Sequence, residues 1–455
     1  MRPKEIIIVF LFLTFGLALR LYNLHERTSF NADQEWLAFR SAEVFKGDLP
    51  LLGPTTSVGS FSIGPGYIYL LSIFGLFTNN APITGAYLSV FLGVVTLLFI
   101  YFFTKYFIDQ KVAYLILFLT SISFNLISWD QLPWAPSLFY LSQIILLIGA
   151  FLSNKNQIGY FLMALGFTLG FQSHFGIVLS IISLIPYLII VRPVKPSKKT
   201  IIATLLIILV GLLPNMLFDL THEFINFKRI AIALKGDGSD YFVSLNKIIN
   251  VLSYNITGII YPKNNSIVDV VLTKSLFALI LVNAISLLRD RKYRKISLLL
   301  LITAFVPAVL FYLQQGKFSE YYLMMSVPSL IFLFALFLNR ISEGRMVLLI
   351  MLLVSIYLNG KEFINKNIPW NLKAKEETVA SIIEKGGRSN YGISLTTSLG
   401  NNFGLKYILK YNEITADMPP KQGETKIFSI IIPEGFDGMV GMEDHGGIGL
   451  RWQGI

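Results

Sequence analysis

The stretch EIIIVFLFLTFGLALRLY, residues 5–22, followed six residues later by SFNADQEW, residues 29–36, decides how this chain is built. The first half is apolar, with charge only at Glu5 and Arg20 near its two ends. A membrane span takes about 20 such residues. No small-residue cleavage site follows, so the run reads as a retained first span rather than a cleaved signal peptide. The second half carries the signature of a helix start. Asn31 is a good N-cap, Gln34 sits at the capping-box position, and Asp33 falls in the first turn, where the helix dipole favours a carboxylate. The run to Lys46 mixes Trp36, Leu37, Phe39, Val44 and Phe45 with Glu35, Arg40, Glu43 and Lys46, and Gly47 ends it. That mixture suits a helix lying on a membrane surface.

Composition agrees with a membrane setting. Of 455 residues, 54% are hydrophobic and 14% charged, against about 25% charged in soluble domains. The net charge of +11 has a simpler source than nucleic acid, because Lys and Arg collect in cytoplasmic loops. The chain has no cysteine, which excludes disulfides, thiolate metal sites and a thiol nucleophile. Walker A, EF-hand and paired-histidine spacings do not occur, which argues against nucleotide hydrolysis and a tight structural metal site.

Further apolar runs fall at 66–78, 84–104, 112–128, 135–153, 158–173, 175–191, 201–218, 270–288, 296–313, 322–339 and 346–358. Run 66–78 is short for a span. If it crossed, the basic clusters Arg192–Lys199 and Arg289–Lys295 would face outward, against the positive-inside rule. The expected fold class is therefore an all-α polytopic membrane protein with about eleven transmembrane helices. Its N-terminus is cytoplasmic, juxtamembrane helices lie in the first outer loop, and a small extracytoplasmic α/β domain ends the chain. Residues 1–358 would form the transmembrane part, with outer loops 23–83 and 219–269, and residues 359–455 the outer domain. In the tail, 372–385 reads as a helix stopped by Gly386 and Gly387, 402–411 as a second helix, and 393–397 and 427–433 as strands.

Chemistry is expected at the outer face. Asp33 is either a proton acceptor for an attacking hydroxyl or an ordinary first-turn acid. Asp130 is the only charge in the loop SWDQLPWAPS, residues 128–137; an acid so close to hydrocarbon is costly and marks a functional candidate, or else it is a solvated loop acid. Trp129 and Trp134 fit an interfacial belt. His174, between two spans, is a substrate contact or a satisfied structural histidine. Lys317, Tyr321 and Tyr322, where two spans meet, suit either a lipid phosphate or snorkelling beside an aromatic belt. Arg20 carries the same two readings.

The order of parts resembles the GT-C superfamily of membrane glycosyltransferases, which includes protein O-mannosyltransferases, the lipid A aminoarabinose transferase and oligosaccharyltransferase catalytic subunits. The resemblance covers about residues 5–340. Asp33-Gln34-Glu35 stands where the family has Asp-Glu, with the second acid displaced by one. Ile63-Gly64-Pro65-Gly66-Tyr67 stands at the start of the short helix, without the family's histidine. Trp134-Ala135-Pro136 ends the second outer loop, where the usual polar residue is missing and Asp130 is its stand-in. Gly316, Lys317 and Tyr321 match the element before the tenth span, which in the lipid A transferase helps hold the donor phosphate.

The resemblance implies an inverting transfer of a sugar from a polyprenyl-phosphate donor to a lipid, glycan or protein acceptor on the outer face of the cell membrane. Asp33, Glu35 and Asp130 would form the catalytic acids. Arg20, Lys317 and Tyr321 would hold the donor phosphate, and Trp134, His174 and Tyr322 would contact substrate. No cofactor or nucleic-acid partner is implied, and a divalent metal is not favoured. Three other classes compete: a lipid-linked oligosaccharide polymerase or ligase, a transporter or flippase, and a non-catalytic membrane receptor for sugars. The first usually places its large outer loop late in the chain. The second usually shows repeated halves and midplane charges, neither of which the sequence contains.

Overall fold

A computed structural model describes residues 2–56, 60–234, 243–262, 267–314, 319–342, 344–397 and 404–454. Helices occupy α1 (Pro3–Leu21), α2 (Leu24–Arg27), α3 (Ala32–Val44), α4 (Gly66–Thr78), α5 (Thr84–Phe107), α6 (Gln110–Ile122), α7 (Phe124–Asp130), α8 (Phe139–Leu152), α9 (Ile158–Phe171) and α10 (Ile177–Val191). They continue as α11 (Lys198–Thr221), α12 (Ile225–Leu234), α13 (Leu245–Thr257), α14 (Ile267–Ser286), α15 (Arg294–Gln314), α16 (Val327–Ile341), α17 (Arg345–Asn365), α18 (Leu372–Gly386) and α19 (Leu405–Tyr411).

Among the described residues, seven helices are long and apolar enough to cross a membrane, or eight if the bent pair α6–α7 is one span. The chain is thus membrane-spanning, although three of the eleven expected spans, α1, α9 and α10, fall outside that count. Helix α1 keeps Lys4, Glu5 and Arg20 within its 19 residues, and α9 and α10 are 14 and 15 residues long. Helix α4 has 13 residues, or about 20 Å at 1.5 Å per residue, short of a ~30 Å hydrocarbon core.

Helix α16 forms the centre of the bundle. Leu330, Ile331, Phe332, Leu333, Phe334 and Ala335 are all buried, and Phe332 stacks on Phe103 of α5 at 3.7 Å. Helix α11 is the opposite case. Ile202, Leu205, Leu206 and Val210 are more than half exposed, an apolar surface that suits lipid rather than water.

The run 112–128, expected as one span, is broken at Ser123 with a bend of 63°. Neither proline nor glycine sits there, so the break depends on distant partners. Arg20 donates to the carbonyls of Ser121 (3.1 Å) and Thr120 (3.5 Å), which the break releases. On the other side, Asn359 Oδ1 accepts from Phe124 N at 2.8 Å. Free helix-end groups inside a bundle need such partners.

The C-terminal sheet has the order β2–β1–β3–β5–β4, with β1 (Ser389–Thr397), β2 (Thr415–Asp417), β3 (Ile427–Ile432), β4 (Glu443–His445) and β5 (Ile448–Gln453). Strand β1 pairs in parallel with β2 and β3, and β5 is antiparallel to β3 and β4. Helix α18 stops at Gly387, whose φ of +71° suits glycine. The predicted helix 402–411 begins at Leu405 within the described residues, and α17 continues past the expected boundary to Asn365. Ile382, Ile393, Ile408, Phe428 and Ile430 form a core that continues into Leu24, Phe30 and Ile83 of the segment between α1 and α5.

Candidate active site

Helix α3 starts as its sequence dictates. Gln34 Oε1 accepts from Asn31 N at 2.9 Å, completing the capping box. Leu37 and Val44 pack with Tyr67, Ile68 and Leu71 of α4. On another side Phe39 meets Tyr407 of α19 edge-on at 5.0 Å. The apolar face expected to lie on a membrane is therefore covered by protein, which leaves Trp36 39% and Phe45 60% exposed. Asp33 is exposed in the first turn. Among the described residues its carboxylate has neither a hydrogen bond nor an ion pair.

The other two expected acids are engaged. Glu35 is 4% exposed, and its Oε2 accepts from Tyr407 N at 2.9 Å. It anchors the tail rather than standing beside Asp33. Asp130 ends α7 and pairs with Arg20, Nε to Oδ2 at 2.7 Å. Arg20 is fully buried and also donates to Gly16 O at 3.0 Å. Its guanidinium also reaches the carbonyls of Ser121 and Thr120. Gly93 makes the pair possible, since a Cβ there would lie 2.3 Å from the Asp130 carboxyl carbon.

The aromatic candidates come together. Trp134 stacks on Trp129 at 5.0 Å and meets Tyr321 edge-on at 5.9 Å. Tyr321 also meets His174 at 6.3 Å and Tyr322 at 4.7 Å. His174 is wedged against Phe139 at 5.2 Å, and its Nδ1 accepts from Gly176 N at 3.0 Å. Burial pushes its pKa down to about 4, so the ring is neutral with the proton on Nε2. Trp134 Nε1 is buried without a hydrogen-bond partner among the described residues. Lys317 lies outside the described residues.

Beside this cluster a cavity of about 570 Å³ opens between α7, α13, α14 and α16. Ser128 and Trp129 form one wall; Lys247, Tyr254 and Lys274 line the other. Ser128 Oγ has no partner among the described residues. Helix α13 was not singled out from sequence, yet its pattern is legible. Ser244 caps it through Lys247 N, Ile248, Val251, Leu252 and Ile256 are buried, and Lys247, Asn250 and Tyr254 recur at helical spacing on the cavity side. Lys274 carries no comparable signal, being one lysine in an apolar helix. Among the described residues no three His, Asp or Glu side chains converge.

No protein-family model and no curated protein sequence matches this chain. Solved structures do. ArnT from Cupriavidus metallidurans, bound to undecaprenyl phosphate, aligns over 98% of this chain and 97% of its own, with a TM-score of 0.65 and 12% identity. The chain has the GT-C fold. Archaeal oligosaccharyltransferase AglB from Archaeoglobus fulgidus, in complex with an inhibitory peptide and a dolichol-phosphate, aligns over 93% of this chain and 65% of its own, at TM-score 0.56 and 13% identity. The apo oligosaccharyltransferase of the same organism aligns over 96% and 66%, at 0.54 and 14%. Of the parts expected from the sequence, the described residues include α1, the capped helix α3, the short α4, the long α5 and the loop after α7, while Gly316 and Lys317 lie outside them. Gln172 Oε1 accepts from Gly66 N at 2.7 Å, so the Gly-Pro-led start of α4 is held from the loop after α9.

Proposed function

We propose that this protein is an inverting glycosyltransferase that moves a hexose or pentose from a polyprenyl-phosphate donor to a lipid, glycan or protein acceptor. The reaction would occur at the extracytoplasmic face of the cell membrane, with eleven spans in residues 1–358 and the outer domain in 359–455. The observation that carries the reading is Asp33: of the three expected acids, it alone is exposed and unpaired among the described residues, at the start of a rigidly capped helix. The shared fold supports it, because solved proteins with that fold are bound to undecaprenyl phosphate and dolichol-phosphate.

In this reading the acceptor oxygen attacks the anomeric carbon from the face opposite the phosphate. Its proton passes to the Asp33 carboxylate as the new C–O bond forms. The bond from the anomeric carbon to the phosphate oxygen breaks, and the electron pair leaves with polyprenyl phosphate. Lys317 and Tyr321 would neutralise that phosphate, with Lys247 and Lys274 of the cavity as further sources of positive charge. Trp129 and Trp134 offer stacking faces to the sugar, and the unpaired Trp134 N–H and Ser128 hydroxyl offer it hydrogen bonds.

The test is transfer of radiolabelled hexose and pentose from polyprenyl phosphate to endogenous acceptors in membranes carrying the protein. Asp33→Asn should lower the rate by ~10²–10⁴-fold and leave undecaprenyl phosphate binding unchanged, because the base acts in the transition state. Wild-type transfer rates from Asp33→Asn would overturn the reading.

A further inference from the structure

The C-terminal domain grips the residues that precede Asp33 with a lysine that reaches neither water nor any expected substrate contact. Lys375 on α18 is fully buried. Its Nζ donates to Phe30 O and, at 3.1 Å, to Asn31 Oδ1. Those two groups lie immediately before α3, two and three residues from Asp33. From the same domain, Gly404 fits against the same turn: a Cβ there would lie 2.7 Å from Phe30 O and 3.1 Å from Asn31 O. One turn further along α3, Tyr407 N holds Glu35. Asp33 therefore sits between two points at which the tail seizes its helix.

A buried ammonium here is costly. Helix N-termini carry partial positive charge and favour anions, and burying a charge is unfavourable unless it is paired. Burial pushes the Lys375 pKa down to about 7, and the Glu35 carboxylate opposes that shift. Methionine would fill the same volume without the electrostatic penalty. What lysine adds is a charged donor that fixes the carbonyl and the cap ahead of the helix, where no helical N–H is available to do so.

We infer that Lys375 is a positioning residue: the ammonium delivered by the C-terminal domain locks the Phe30–Asn31 turn, and so sets the place and direction of the Asp33 carboxylate. The inference rests on the reading of Asp33 as the base. Docking of the tail and readiness of the base are then one event, and displacing the tail loosens the first turn of α3 without touching the cavity.

Hydrogen exchange on the full-length protein in lipid nanodiscs tests this without any substrate. Lys375→Met should speed exchange of the Asn31 and Glu35 amides, which are held by Gln34 Oε1 and Asn31 O. The expected factor is roughly ten- to a hundredfold, that of losing a hydrogen bond to a charged group. Lys373→Met is the control on the same helix. That lysine is half-exposed and bridges Glu26, and its loss should leave those amides unchanged. Lys375→Ala should regain protection when propylamine is added. In the transfer assay Lys375→Met should lower kcat and leave undecaprenyl phosphate affinity unaltered.

Unchanged exchange at Asn31 and Glu35 in a folded Lys375→Met protein would overturn the inference. Should that variant fail to insert, Gly404→Ala, which presses on the same carbonyl, must accelerate the same amides or the inference falls. The two proposals fail separately. An active Asp33→Asn variant removes the base and leaves the exchange result standing, whereas slow exchange in Lys375→Met removes the clamp and leaves the base.

Discussion

Arg20 and Asp130 give a prediction whose size follows from their surroundings. The guanidinium is 0% exposed, lies 2.7 Å from Asp130, and also serves the carbonyls of Gly16 and Ser121. Removing one partner from a buried ion pair costs about 3–5 kcal/mol, because the other charge is stranded. The two halves should not be equal. Asp130→Asn leaves the guanidinium on its carbonyls and keeps a polar neighbour, so it belongs at the low end. Arg20→Met strands the carboxylate and also frees the carbonyls at the α6–α7 break, so it belongs at the high end. Replacing both, as Arg20→Met with Asp130→Leu, removes the stranded charge and should recover part of the loss, with a coupling energy of about 1–3 kcal/mol. Trp129 flanks Asp130 in sequence and stacks on Trp134, so tryptophan fluorescence during denaturation in detergent reports on this corner directly. If Arg20→Met unfolds like wild type, or if the double variant shows no coupling, the pair does not hold the broken span. A stable but inactive Asp130→Asn would return Asp130 to the chemistry.

Two further outcomes are expected. His25 Nδ1 donates to Glu376 Oε2 at 2.7 Å, and that contact raises its pKa above 6.5 while burial and Lys373 oppose. A raised folded-state pKa means the contact stabilises fully below pH 6.5 and is lost as pH rises through the higher value. Both groups are partly exposed, so the effect should stay below about 1 kcal/mol; the melting difference between wild type and Glu376→Gln should be present at pH 5.5 and vanish at pH 9. Topology is tested with single cysteines, since the chain has none: Ser197→Cys should resist an impermeant maleimide in intact cells, and its labelling would sink the eleven-span arrangement.

Local signals carried much of the fold. Asn31, Gln34 and Gly387 mark helix ends because caps are satisfied within a few residues, and apolar runs mark helices because lipid requires them. What stayed hidden was held from afar. The break at Ser123 needs Arg20 from about a hundred residues earlier and Asn359 from more than two hundred later. Tail docking rests on His25 with Glu376 and on Phe30 with Lys375, each across more than three hundred residues. Lys375, one of three lysines in the amphipathic pattern of α18, looks like part of a solvated face, and only the packed structure shows it buried. Trp134, His174 and Tyr321 come together because all three sit at the ends of elements that meet there.

The displaced second acid explains how the site is divided. An α-helix turns about 100° per residue, so adjacent acids share one side whereas acids two apart point nearly opposite ways. In Asp33-Gln34-Glu35 the inserted Gln34 turns Glu35 away from Asp33 and toward α19, where Tyr407 N takes it up. Gln34 itself folds back to close the cap. One register shift thus converts a paired acid into a tail anchor and leaves a single free carboxylate. Inverting displacement requires only one base, since the phosphate departs with its own charge, and a second unpaired carboxylate nearby would raise the pKa of the first through like-charge repulsion. Under the proposed reading the same three residues would supply the cap, the base and the anchor, and the tail that Glu35 holds brings Lys375 to the turn from which Asp33 projects.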